Sequence, residues 1–452
     1  MSDAMAESLN YPAMKMRAVA SRSYRVKISP VNGQTFKSGQ TINIDMPSNL
    51  SGTYVNWNQC YLKYKVTVNG GSGHRLDRGG SNSFLNRVLC QTAGAQIFDC
   101  PNHNLLMTIL MDSDSSPAYK AGIGNVLMGT LGGVQSGEPI AAGSARTYCT
   151  PFVLHPFGMS TPHRLMPLFS SAPVQFKLTL ASATECLKST TAATDIDFEE
   201  VELVCVFTEL SPGAQAQVDA MSGGVYNILA SSYQNVGTTM SAGATAVTAN
   251  LGISVSSLER VIVCHRPTAS IIAAGSYSLG HRIKNGLTQY SIFVNGEQYP
   301  ARPVVVEDKC AEALAEFLLS DHSLVNFDKQ SSFNIAVVAN ASAQSNGLDG
   351  GSARGVLQPY VVNAGLGTEA GHSSVTSSSN IGSFITAIEM ETGLSDGRSQ
   401  RLYSGISTIS STVNYRGVYT SAPLDAQLDF FSMNTVLLSL NTRGTGVWSV
   451  SV

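Results

Sequence analysis

FLNRVLCQTAGAQIFDCPNHNLLMTILMD, residues 84–112, reads as two strands and a helix in succession. Phe84–Gln91 is apolar and β-prone, Ala93-Gly94 supplies a turn, Ile97 and Phe98 resume the strand, and Pro101 closes it. Leu105, Leu106, Ile109 and Leu110 then recur at helical spacing, which predicts a short helix over Asn104–Asp112. The second half of the chain repeats this order. Strand Thr288–Val294 leads through Asn295-Gly296 to Tyr299-Pro300, and a longer helix follows over Glu307–Leu319. There Cys310, Leu314, Phe317 and Leu318 share a face, and Glu307 and Asp308 suit the positive end of the helix dipole. A repeat with a period of about 210 residues is a duplicated domain, since solenoid units are far shorter.

Outside these units, two-residue alternation dominates. Ile42, Ile44 and Met46 face one way, and Asn43 and Asp45 the other. Leu62, Tyr64, Val66 and Val68 alternate with Lys63, Lys65 and Thr67; Val174, Phe176, Leu178 and Leu180 alternate with Gln175, Lys177 and Thr179. Val201, Leu203, Cys205 and Phe207 repeat the pattern beside Glu200 and Glu202. Such strands have one core face and one wetter face. Asn32-Gly33, Ser38-Gly39, Asn69-Gly70-Gly71 and Asp396-Gly397 mark turns between strands. A long Gly/Ser-rich stretch follows each helix, at about 113–146 and 340–383, and both are expected to project from the same side as exposed loops.

The fold these patterns predict is all-β: two tandem jelly-roll β-barrels (a double jelly roll) with one short helix per barrel and long Gly/Ser-rich loops. The expected boundaries are an N-terminal arm at 1–23, a first jelly roll at 24–212, a linker at 213–224 and a second jelly roll at 225–452. Because the junction is short, the halves should pack together.

Only 13% of the 452 residues are charged, against about 25% in typical domains. A surface so poor in charge fits one that meets other protein copies, although secreted β proteins share the profile. The net charge of -3 gives no basic stripe for nucleic acid. No apolar run is long enough to span a membrane, and the first residues lack the apolar region of a secretory signal. Eight cysteines without a C-x-x-C pair, most of them inside apolar strands, read as free buried thiols of a chain made in a reducing compartment.

Chemical motifs are weak. Gly393-Leu394-Ser395-Asp396-Gly397 has the spacing of a nucleophile elbow but no helical period after it, so it reads as a turn. Asp112-Ser113-Asp114 begins like a calcium loop, but Pro117 and Ile123 stand where Gly and Glu are needed. Asp195, Asp197, Glu199, Glu200 and Glu202 form an acidic run, read as a solvated strand face or a rim that meets basic groups of a neighbour. The eight histidines are scattered, with no H-x-H and no H-E-x-x-H; packing is the expected role of His155 and His163. No catalytic, cofactor-binding or metal-ligating residue is assigned, so no enzyme is expected. The stretch Met14–Lys27 carries five cations and no acid; Met14, Lys15, Met16, Arg17 and Arg22 are the candidate assembly residues of the arm.

Taken in order, "ISPVNGQTFKSGQTINIDMP", "YLKYKVTVNG", "FLNRVLCQTAGAQIFDC" with "NHNLLMTILMDS", "RTYCTPFVLHPFGMSTPHRLMPLF", "VQFKLTLA", "QYSIFVNGEQYPARPV" and "RLYSGISTISSTVNY" resemble one family. It is that of the double jelly-roll major capsid proteins of adenoviruses, virophages, Polinton-like viruses and large algal viruses. The resemblance runs from about Tyr24 to Val452 and lies in the order and spacing of the pieces, none of which is specific alone. It implies a homotrimer that serves as a pseudo-hexagonal capsomer in an icosahedral virion. Its partners would be neighbouring capsomers, penton and minor capsid proteins. The resemblance also implies an arm that lies beneath the barrels, toward packaged genome or an internal membrane. The alternative from another class is a tandem β-sandwich carbohydrate-binding protein or adhesin, which needs exposed aromatic platforms; the chain has two tryptophans, Trp57 and Trp448.

Overall fold

The computed structural model describes residues 21–93, 95–131, 138–160, 163–169, 171–306, 310–321, 384–391, 405–420, 423–444 and 446–451. Eight principal strands build the first half: β1 (Ser21–Ile28), β2 (Thr41–Asp45), β3 (Thr53–Asn69), β4 (Leu85–Thr92), β5 (Ala95–Cys100), β6 (Ala145–Pro151), β7 (Val174–Leu180) and β8 (Asp195–Leu210). Eight more build the second: β9 (Val225–Met240), β10 (Ala246–Asn250), β11 (Leu258–Pro267), β12 (Leu287–Val294), β13 (Glu297–Val305), β14 (Thr386–Glu389), β15 (Val413–Tyr419) and β16 (Ala426–Asn441).

The pairing is the same in both. One sheet runs β1-β8-β3-β6, and its counterpart runs β9-β16-β11-β14. The facing sheets run β2-β7-β4-β5 and β10-β15-β12-β13. Numbered from one within each half, the orders are 1-8-3-6 and 2-7-4-5 twice over, all antiparallel. This is the double Greek-key wrapping of a jelly roll. The alternation that foretold these strands holds: β7 is buried at every second residue from Val174 to Leu180. In each half the helix leaves the hairpin made by the fourth and fifth strands. Helix α1 (His103–Asp114) follows β4 and β5, with Leu105, Leu106 and Ile109 fully buried.

Several details depart from the sequence reading. Among the described residues β1 already includes Ser21 and Arg22, so Arg22 lies in a strand and not in the arm; it forms an ion pair with Glu209 of β8 at 2.7 Å. β1 is an edge strand whose first five residues are exposed on both faces, which leaves no alternation to read. Met14, Lys15, Met16 and Arg17 lie outside the described residues.

The described part of the stretch 113–146 is largely helical and partly buried, and is not an open loop. It holds helices α2 (Pro117–Ala121) and α3 (Ile123–Met128), and buries Lys120, Met128 and Thr130. The 340–383 stretch and Gly393–Gly397 lie outside the described residues. The 213–224 linker is mostly helix α4 (Pro212–Ser222), capped by Ser211 and ended by Gly223 at φ +64°. Helix α5 (Ala311–Ser320) is the second-half counterpart of α1 and starts after Cys310. Further helices are thus present beyond one per barrel.

The acidic run finds its cations within the chain: Asp195 pairs with Lys37 at 2.7 Å, Glu199 with Lys65 at 2.9 Å and Glu202 with Lys27 at 2.9 Å. All eight cysteines are free thiols.

Candidate functional site at the seam between the halves

The apolar core of the first jelly roll continues into the second half of the chain. Ile228, Tyr233, Ile262, Cys264, Phe431 and Trp448 of the second half pack in the same apolar cluster as the first barrel. A separate cluster fills the second barrel.

Strand β11 shows why. All ten of its residues are buried, because it is covered on both faces. Val261 and Val263 point into the second barrel, and His265, in phase with them, bonds Tyr419 Oη at 2.8 Å. Arg260, Ile262, Cys264 and Arg266 take the opposite face, toward the first half, following the two-residue period of a strand. The seam side of this strand therefore reads Arg-Ile-Cys-Arg.

Each buried guanidinium has a fixed anion. Arg266 Nε donates to Asp429 Oδ2 at 2.8 Å. The other oxygen of Asp429 accepts from Asn102 Nδ2 at 3.3 Å, which also donates to Asn235 Oδ1 at 3.0 Å. Asn102 is the left-handed residue, φ 51°, at the start of α1, so the first-half helix is tied at its N-terminus to the second half. Arg260 donates to Asp321 Oδ1 at 3.0 Å and to Tyr233 Oη at 2.7 Å.

The densest point is Asp112, at the last turn of α1 and fully buried. Its Oδ1 accepts from Arg78 at 3.0 Å and from Lys120 of α2 at 2.9 Å. Its Oδ2 accepts from Arg282 of the second half. Burial alone would push this carboxyl upward; Arg78, Lys120 and Arg282 together outweigh it and hold the group well below the usual carboxylate range. Burial lowers Arg78 and Lys120 from their ordinary values, with Asp112 opposing that shift.

The surplus positive charge is met by neighbouring polar groups. Arg78 donates to Gly280 O and Arg282 to Leu279 O, each at 3.4 Å. Asp77, raised by burial, accepts the backbone N–H of Leu279 at 2.8 Å. Gly280 is required here: a Cβ would stand 2.5 Å from Arg78 Cδ and 2.7 Å from Asp77 Oδ1.

Backbone and ring contacts complete the seam. Ala172 N donates to Gly446 O at 2.6 Å, Ser189 N donates to Ala274 O at 2.7 Å, and Ser160 bridges Ala230. The rings of Phe157 and Trp448 meet edge-on at 5.0 Å, and those of Phe169 and Tyr226 at 5.5 Å. Directional, charge-assisted bonds of this kind fix an angle between two bodies as well as holding them together. They form a geometric device.

His155 sits in an aromatic box of Trp57, Phe152, Phe157 and Phe176, where burial pushes its pKa down to about 3. Trp57 and Trp448 are both buried, so neither offers a sugar-stacking platform. Among the described residues no group of three or more His, Cys, Asp or Glu side chains is arranged to hold a metal.

The sequence reading missed the seam. Its signal was present in LERVIVCHRP, 258–267, where arginines fall in phase with apolar residues inside a strand that reads as buried.

No family model and no curated protein matches the chain. Solved structures do. VP54 of PBCV-1, fitted into a reconstruction of the virophage Sputnik, is 10% identical, with a TM-score of 0.60 over 98% of this chain and 99% of that one. The Faustovirus major capsid protein is 9% identical, with a TM-score of 0.57 over 96% and 93%. The mavirus major capsid protein is 12% identical, with a TM-score of 0.50 over 99% and 95%. At these identities the likeness is one of fold, and it extends over nearly the whole chain.

Proposed function

We propose that this chain is a major capsid protein, the structural subunit of trimeric, pseudo-hexagonal capsomers in an icosahedral virion. One observation carries the reading: two jelly rolls of identical strand order are locked by a buried ionic seam into a single body, matched nearly end to end by capsid proteins. Two equivalent barrels per chain give a trimer six similar edges, enough to tile a hexagonal lattice under threefold symmetry. A tile transmits lateral force, so its two barrels must not hinge. A seam of directional buried bonds suits that need, whereas a polar, hydrated interface between domains moves.

The role is structural and not catalytic, and its place is the virion shell. The partners are two further copies in the capsomer, then neighbouring capsomers, penton and minor capsid proteins. The N-terminal segment, with Met14, Lys15, Met16 and Arg17, serves assembly, its cations facing packaged genome or an anionic membrane. Negative-stain imaging of the purified protein tests the whole: hexagonal tiles or shells are expected. A stable monomer by light scattering at micromolar concentration would overturn it.

A further inference from the structure

Helix α4 (Pro212–Ser222), which joins the halves, has no buried residue. It is nevertheless held in place: Tyr54 Oη donates to Gln215 Oε1 at 2.9 Å, Gln215 Nε2 donates to Asp219 at 2.9 Å, and Tyr226 Oη donates to the same carboxylate. Its apolar side chains, Val218 and Met221, line a preformed cleft of about 470 Å³ together with Leu165, Leu210, Val225 and Ile228. That volume lies within the roughly 300–1,000 Å³ of ligand sites. The rim is unusually apolar for a surface, with Met221 89% exposed and Val225 40%.

The place where β1 starts points to the occupant. Ser21, the first residue of β1, lies directly across the ladder from Leu210, which lines the cleft. β1 runs antiparallel to β8, so its first residue lies at the end of β8 that leads into α4. The preceding residues offer Met5, Tyr11, Met14 and Met16, flexible or amphipathic side chains suited to an irregular apolar groove. The five residues from Met16 to Ser21 span at most about 18 Å when extended, ample for a site that begins beside Ser21. Tethering raises the effective concentration to about the millimolar range, so a modest contact suffices.

We propose that residues 11–16 of the same chain dock into this cleft, with Met14 and Met16 as the anchors and Lys15 and Arg17 left facing outward. The docking deepens the assembly role given above to this segment, and it is intramolecular, so it is read on isolated protein whether or not shells form. The test is to replace Met14 in the full chain with the photo-crosslinker p-benzoylphenylalanine and irradiate a dilute sample. The expected product runs at single-chain mass on a denaturing gel, and its cross-linked peptides join position 14 to the segment 212–228.

The double variant Met221→Asp, Val225→Asp changes two half- or fully exposed side chains and leaves the core intact. It should lower the cross-link yield by about tenfold, since losing one buried Met contact is worth at least that factor, while the thermal transition is retained. Cross-links to other surfaces, cross-links joining two chains, or an undiminished yield in the double variant each overturn the proposal. Intact docking in a protein that never forms tiles or shells would instead overturn the capsid reading and leave this one standing.

Discussion

At the scale of single residues, the seam and the surface obey different rules. Asp112 answers three cations inside the protein, so removing its charge strands Arg78, Lys120 and Arg282. Asp112→Asn should cost about 3–5 kcal/mol in denaturant unfolding, the usual penalty for breaking a buried ion pair from one side. Arg22→Gln, which opens an exposed pair with Glu209, should leave the transition unmoved.

The buried histidines set the pH dependence. Burial pushes His103, His265 and His281 down to about 4 and His155 down to about 3. The unfolded chain takes up these protons near pH 6.5, so it binds more protons than the folded state in the window below. The stability they contribute is complete above about pH 6.5 and is lost as pH falls toward about 4, at up to about 1.4 kcal/mol per unit for each group. Urea unfolding at about pH 7 and about pH 5 measures this, and His155→Phe should make the slope shallower. Equal stability at the two pH values would contradict the assignment of these side chains as neutral.

Among elements, those that meet water on one face were legible in the sequence and those that do not were hidden. The units β4-β5-α1 and β12-β13-α5 announced themselves because a half-buried strand alternates and a half-buried helix repeats. β1 is wet on both faces and β11 is dry on both, so neither alternates, and with β11 the seam escaped notice. The α2–α3 excursion was misread for another reason. Its small residues look like loop, and only the fold reveals that Lys120 reaches across to Asp112. Native protein should accordingly resist trypsin at Lys120, which rapid cleavage there would refute. The chain segment at 279–280 is likewise fixed by close approach. Gly280→Ala should destabilise by about 1–3 kcal/mol through overpacking against Arg78 and Asp77, read as a lowered denaturation midpoint.

For the whole molecule, the proposed tile demands interfaces as substantial as the one inside it. Each pair of subunits in the trimer should bury more than about 2,000 Å², the range of obligate interfaces; a trimer structure with smaller contacts would count against it. The seam also sets a schedule. Trp448 of the last described strand closes on Phe157, and Gly446 on Ala172, so the first half cannot finish its surface until nearly all of the second has been made. On a ribosome that adds about 5–20 residues per second, the first barrel waits for tens of seconds with its seam charges and apolar face open to solvent. A nascent chain arrested before β16 should therefore bind holdase chaperones strongly and release them once the C-terminal strands emerge. The seam is thus a latch that closes late in synthesis, and a message cut before it would yield a sticky half-product with no refuge in a shorter native state.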